Sequence, residues 1–244
     1  MIPGFRFKQF TISDAQCGMK LSSDAVLLGA YAQPPQTGHI LDIGCGCGIL
    51  ALMMAQQSRA AHIDAIDVDE DACTAATFNT ANSPWKHRIR VHHCSLVEFC
   101  TLSDMSYDCI ISNPPYFHNQ LKSGDDKISL AKHTADLNYD SLCCAVSLLL
   151  KDTGLFWVIL PAYMRQEFLY AALGKGLFCK KLIHISHTVE STAVRVILCL
   201  SKKIIMKVET EHLFIKDKNN RFTSEYKFLT RDYYLDMGNF IESD

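Results

Sequence analysis

The stretch His39-Ile40-Leu41-Asp42-Ile43-Gly44-Cys45-Gly46-Cys47-Gly48 decides the fold. Its first half is an apolar run of strand length. Its second half places glycine at every other position, and a helical pattern begins near Ile49. Glycine takes backbone dihedrals closed to other residues and lets a ligand come close to the main chain. In open α/β sheets the ligand crevice lies at the carboxyl ends of the strands. Two familiar glycine loops are excluded. The pattern G-x-G-x-x-G would need glycine where Ile49 stands, and no Gly-Lys-Ser/Thr follows. What remains is D-x-G-x-G-x-G; the bland alternative is a tight strand-to-helix turn without a ligand.

Strand and helix patterns alternate outward from this loop. Strands are expected at 39–43, 62–67, 89–93, 107–111, 154–160, 180–187 and 193–200, and helices at 48–57, 70–81, 139–150 and 163–174. Asp69 suits the N-cap of the second helix, with Pro84 just past its end. Such alternation implies parallel strands with right-handed crossovers. Residues 188–192 are too few for a crossover helix, so the last two strands should pair antiparallel. Upstream, Phe5, Phe7, Phe10 and Ile12 around a Ser13-Asp14 turn read as a hairpin. Ser23-Asp24 reads as the cap of a short helix from Ala25 to Ala32. The expected architecture is a single α/β domain over residues 1–244, with residues 1–37 packed on it.

Two further stretches carry chemistry. The strand His62–Asp67 ends in Asp67, about twenty residues past the glycine loop, where a carboxylate can accept both ribose hydroxyls of a nucleoside. An ordinary surface acid is the alternative, since Asp69, Glu70 and Asp71 adjoin it. About sixty-five residues past Gly48, the apolar run Tyr107–Ser112 leads into Asn113-Pro114-Pro115-Tyr116. An amine conjugated to a ring is a poor nucleophile because its lone pair is delocalised. The Asn113 side-chain oxygen and the Pro114 carbonyl can hold its two N–H groups and turn the lone pair toward an electrophile. The prolines fix these acceptors in advance, and Tyr116 can stack on a planar substrate.

Taken together, the D-x-G-x-G-x-G loop and Asn113–Tyr116 resemble those of S-adenosylmethionine-dependent methyltransferases that modify an amino nitrogen on a planar group. The resemblance implies a Rossmann-like methyltransferase fold, with Asp42, Gly44, Gly46 and Gly48 around the methionine part of S-adenosylmethionine and Asp67 on its ribose. Many relatives carry an acid after the third strand for the adenine amine. Here His92-His93-Cys94-Ser95 stands there, with Ser95 in the matching position. Residues 5–32 and Thr223–Leu235 look like the terminal segments of the bacterial valine-tRNA adenine N(6)-methyltransferases, so the resemblance spans almost the whole chain. It implies tRNA as partner and Lys20, Ser22 and Asp24 near the cofactor or the site entrance. Cys45 and Cys47 depart from the Ala and Ser common in that loop. Lys202 and Lys203, with Lys132 in the polar segment after Tyr116, are candidates for RNA phosphates. Tyr226, Tyr233 and Tyr234 read as core rather than base-stacking groups.

Composition bounds the rest. The 244 residues are 48% hydrophobic and 20% charged, with a formal charge of -2, so no global basic field advertises a polyanion. Eleven scattered cysteines without a CxxC pair argue against a zinc site and against secretion. No apolar run is long enough to span a bilayer. A cytoplasmic enzyme without a metal, a membrane anchor or an obligate protein partner is expected. Two other readings stay open: a glutamine N-methyltransferase acting on a release factor, and a catalytically silent cofactor-binding module.

Overall fold

In the computed structural model the described residues are 4–13, 21–115 and 138–235. Lys20, Tyr116 and Lys132 lie outside them. The elements run β1 (Phe5–Arg6), β2 (Thr11–Ile12), α1 (Ser23–Tyr31), β3 (Thr37–Ile43), α2 (Ile49–Gln57), β4 (Ala60–Asp67), α3 (Glu70–Ala81), β5 (Ile89–His93), α4 (Leu96–Leu102) and β6 (Tyr107–Ser112). They continue with α5 (Tyr139–Leu149), β7 (Leu150–Pro161), α6 (Arg165–Gly174), β8 (Phe178–Ser186), β9 (Arg195–Ser201), β10 (Glu209–Phe214) and α7 (Ser224–Thr230).

Eight strands form one sheet in the order β10-β8-β9-β7-β6-β3-β4-β5. All neighbours pair parallel except β9, which is antiparallel to both β7 and β8. This is the mostly parallel sheet with one reversed strand that the alternation implies. The inner strands are apolar on both faces because helices cover both sides. Along β3, Ile40 faces the core beneath α1, α2 and α3, whereas Leu41 and Ile43 belong to the core beneath α4, α5 and α6. Each such Ile or Leu contributes roughly 1.5–3 kcal/mol on burial.

Local chemistry sets the helix ends. Asp69 caps α3 as expected, accepting from Asp71 N at 3.0 Å. Asn138 and Ser141 form a reciprocal capping box on α5. Several boundaries differ from expectation, three of them for a visible physical reason. The cap of α1 is Ser22, whose hydroxyl accepts from Ala25 N, so Ser23 and Asp24 are already helical. The N-terminal hairpin turns over residues 7–10, with Phe7 N bonded to Phe10 O, and Ser13 follows its second strand. Strand β7 starts at Leu150, earlier than the pattern suggests. Its register against β6 slips between Tyr107 and Cys109, and at Gly154 a Cβ would lie 2.9 Å from the Tyr107 carbonyl. That bulge breaks the period-two signal.

The short N-terminal strands are held by distant chain. Lys8 N donates to Tyr233 O at 2.8 Å, Phe7 stacks on Tyr234, and Phe7, Phe10 and Ile12 are buried. Tyr226 and Tyr233 are buried too, as their core reading requires. No helix among the described residues is long and apolar enough to cross a membrane.

Candidate functional site

The backbone leaves β3 in a turn that only glycine accommodates easily: φ is +70° at Gly44, +51° at Gly46 and +83° at Gly48. The turn is stapled to the end of β4. Gly44 N and Cys45 N both donate to Ile66 O, at 2.9 and 3.0 Å, and Gly46 N donates to Asp67 Oδ2 at 2.8 Å. A Cβ at Gly44 or Gly46 would meet nothing within 4 Å, so this part of the loop faces open space. Gly48 has a packing role: a Cβ there would lie 3.2 Å from Cβ of Ala76 on α3.

Asp42 is fully buried beneath the turn. Its Oδ2 accepts from Ala51 N at 3.0 Å in the first turn of α2, where the helix dipole favours negative charge. Its Oδ1 is buried with no partner among the described residues. Burial pushes the carboxyl up to about 7, against the Ala51 bond that lowers it and with a smaller upward push from the Asp67 charge. Asp67 is half-buried at the end of β4, and its other oxygen accepts from Asp69 N at 3.0 Å.

Asn79 is a component that sequence reasoning missed. It is 2% exposed, donates to Cys47 O at 2.8 Å and to Ser13 O at 3.0 Å, and accepts from Ser13 N at 2.9 Å. One amide thus clamps the glycine turn to the N-terminal segment. The only signal was an amide in line with the buried Ala72, Ala75 and Ala76 of α3.

Asn113 is half-buried, directly after β6, with Pro114 buried and Pro115 exposed. The last register pair between β3 and β6 is Ile43↔Ser112. The next residues on each chain are Gly44 and Asn113, on strands about 4.8 Å apart. The glycine turn and Asn113 are therefore neighbours at the carboxyl edge of the sheet.

The remaining expected residues divide. Asp24 lies at the same edge: its Oδ2 accepts from Arg195 Nε at 2.7 Å, and Arg195 pairs with Pro161 at the end of β7. Ser95 caps α4. Its hydroxyl accepts from Glu98 N and donates to Glu98 Oε2, so its one proton is used in a capping box and one acceptor lone pair remains. Lys202 and Lys203, candidates for RNA phosphates, do not lie at this edge. Because β9 is antiparallel, they follow its end at the opposite edge, roughly 20 Å away by strand rise. There Lys202 Nζ approaches Asp152 Oδ1 at 3.8 Å. His92 binds Asp64 at 2.8 Å, and among the described residues no group of three or more His, Cys, Asp or Glu is placed to hold a metal.

Residues 20–162 match the methyltransferase small domain family. The tRNA1(Val) (adenine(37)-N6)-methyltransferase of Parabacteroides distasonis is 38% identical over 96% of this chain and 99% of its own length. The chain belongs to that methyltransferase family. The family protein of Phocaeicola vulgatus is 39% identical over 96% of this chain and 99% of its own. In fold, the chain is similar to a predicted O-methyltransferase of Agrobacterium tumefaciens, with TM-score 0.67 and 20% identity, covering 86% of this chain and 96% of that one. Family membership implies a methyl donor of the S-adenosylmethionine type. Two features of this chain fit such a donor: the open space along Gly44 and Gly46, and the buried, unpartnered Oδ1 of Asp42.

Proposed function

We infer that this protein transfers a methyl group from S-adenosylmethionine to the exocyclic amine of an adenine in tRNA. The adenine 3′ of the anticodon of a valine tRNA is the target. One observation carries the reading: near end-to-end similarity, at 38% identity, to a protein named for that reaction. The adjacency of Gly44 and Asn113 across β3 and β6 supports it, because donor and acceptor must meet in line. The relatives named above carry the name of the tRNA reaction, not of release-factor methylation. The silent-module alternative leaves Asn113 beside an intact glycine turn without a purpose.

The bound donor would supply an electrophilic methyl on a sulfonium. Gly44, Gly46 and Gly48 would leave room for its methionine part, with Asp42 Oδ1 accepting a hydrogen bond from its amino group. Asp67 retains acceptor capacity on both oxygens for ribose hydroxyls. Ser95 Oγ, with one acceptor lone pair left beside its capping box, would accept from the adenine amine of the donor. The Asp24–Arg195 pair borders the entrance, and Lys20 would contact the donor. On the acceptor side, Asn113 Oδ1 and the Pro114 carbonyl hold the two N–H groups of the target amine and direct its lone pair at the methyl. Tyr116 stacks on the base, and Lys132 contacts RNA. The proton leaves after transfer, so no strong base is needed. The whole chain acts as one catalytic domain in the cytoplasm.

The test is Asn113→Ala assayed with labelled donor and an unmodified valine tRNA transcript. Donor affinity should persist while methyl transfer falls by roughly a hundredfold or more, the scale of losing one preorganised polar group. A parallel loss of donor affinity would make Asn113 structural. Label entering a release factor and not the tRNA would overturn the substrate.

A further inference from the structure

The outermost strand carries an open-ended stack of rings. His184 on β8 and His212 on β10 are directly paired, with ring centroids 4.9 Å apart and planes 17° apart. Phe214, two residues further along β10, lies beside His212 at 6.4 Å and 22°. Burial first, then the neighbouring His212 and Arg165, hold the His184 imidazole below its ordinary range. The inner ring is thus neutral at neutral pH. Among the described residues no strand lies beyond β10, so the outer face of the exposed His212 looks past the edge of the sheet.

A cleft of about 850 Å³ lies against these rings, bounded by residues 188–190 and 217–225. Its polar wall holds Glu190, Asp217, Glu225, Asn220 and Lys218. Three carboxylates against one ammonium make a poor seat for a bare phosphate, and one of them, Asp217, already accepts from Asn219 N and Arg221 N. They suit a group that presents N–H donors on its edge and a flat face to a ring, which describes an unpaired nucleobase. Asn220 adds an amide with both donor and acceptor, and Lys218 a cation for the adjoining backbone.

We propose that this cleft holds an unpaired base of the RNA, stacked on the outer face of His212 and flanked by Phe214. The proposal rests on the reading of RNA as substrate and adds a second base site to it. The geometry allows both sites to be filled by one molecule. Strand β10 is parallel to β8, and β9 is reversed against both β8 and β7, so the carboxyl ends of β10 and β6 share an edge. Four strand spacings separate them, roughly 19 Å.

The experiment compares wild type, His212→Ala and His212→Trp. It measures steady-state methylation of a valine tRNA transcript, equilibrium binding of the same transcript and affinity for the methyl donor. Base stacking on an aromatic side chain is worth about 1–3 kcal/mol, so His212→Ala should raise KM and weaken RNA binding roughly 5- to 150-fold. The loss should fall on KM rather than kcat, donor affinity should hold, and the larger ring of His212→Trp should restore RNA binding. Wild-type KM and RNA affinity in His212→Ala, or failure of His212→Trp to restore a loss, would overturn the base site while leaving the tRNA reading intact. A wild-type protein that binds the transcript without methylating it would sink the reaction, yet the binding comparison would still decide the cleft. Absence of any RNA binding by wild type would sink both.

Discussion

The buried hydroxyl of Ser112 donates to the carbonyl of Ile43 at 2.8 Å. Ile43 is the last residue before the glycine turn and Ser112 the last before Asn113. The bond therefore ties together the two strand ends that carry the candidate donor and acceptor sites. It adds a side-chain link to the parallel ladder at the point where the ladder stops. Ser112→Ala should cost about 1–3 kcal/mol by removing one partner of a buried hydrogen bond. It should also lower methyl transfer by loosening the spacing of the two loops. Denaturant unfolding and turnover, measured together, check this; unchanged values in both would mean that the backbone ladder alone sets the spacing.

Gly46→Val should abolish donor binding while the protein still folds. Valine at φ +51° is strained, at about 1–2 kcal/mol for a left-handed residue. Its side chain would project into the open space beside the turn. Asp67→Ala should weaken binding as well, because it removes both a ribose acceptor and the tether on Gly46 N. Calorimetry with the methyl donor reads both; binding at wild-type strength in both variants would remove the glycine turn from the donor site.

The carboxyl of Asp42 gives a signed pH dependence. Its folded value, about 7, lies above the ordinary 3.8, so the folded state holds the proton more tightly than the unfolded state. Its contribution to stability is fully present below about 4 and is lost as pH rises toward 7. Without ligand, wild type should therefore lose stability across that window relative to Asp42→Asn, which does not titrate. Donor affinity should rise through the same window, because the ionised carboxylate is the better acceptor for an amino group. Thermal melts and donor titrations from pH 5 to about 8 test both signs.

Charge reversal at the far edge should matter little. Lys202→Glu with Lys203→Glu alters residues at the amino edge of the sheet, away from Asn113. KM for tRNA and the salt dependence of RNA binding should stay within about twofold of wild type, since contributing phosphate contacts would each change the salt slope by nearly one unit. A flattened slope would mean that the RNA wraps around to that edge.

Much of this was legible in the chain because the signals are local. Strand-to-helix alternation, the Asp69 cap, the glycine spacing and the short 188–192 connection each depend on residues near one another. The antiparallel direction of β9 follows from that connection. An antiparallel β9 then carries Lys202 and Lys203 away from the site, a consequence that charge counting along the sequence does not convey. Strand β10 escaped notice because Glu209-Thr210-Glu211-His212-Leu213-Phe214 is a one-sided edge strand whose buried residue is Leu213. Helix α4, seven residues long, is too short to show a period of 3.6.

By itself the sequence determined the fold class, the glycine turn and the order of the two loops. Those follow from backbone sterics and from the alternation of apolar residues over short spans. Only the tertiary structure decided partners. It committed Ser95 to Glu98 and Asp24 to Arg195, left Asp42 Oδ1 without a partner, brought Asn79 from α3 onto Cys47, and set His212 against His184 at an open edge. The physical reason is that a side chain's hydrogen bonds and charge partners are chosen by what packing brings within about 3 Å. For these residues most of those neighbours are distant in the chain: 32 positions separate Asn79 from Cys47, and 171 separate Asp24 from Arg195.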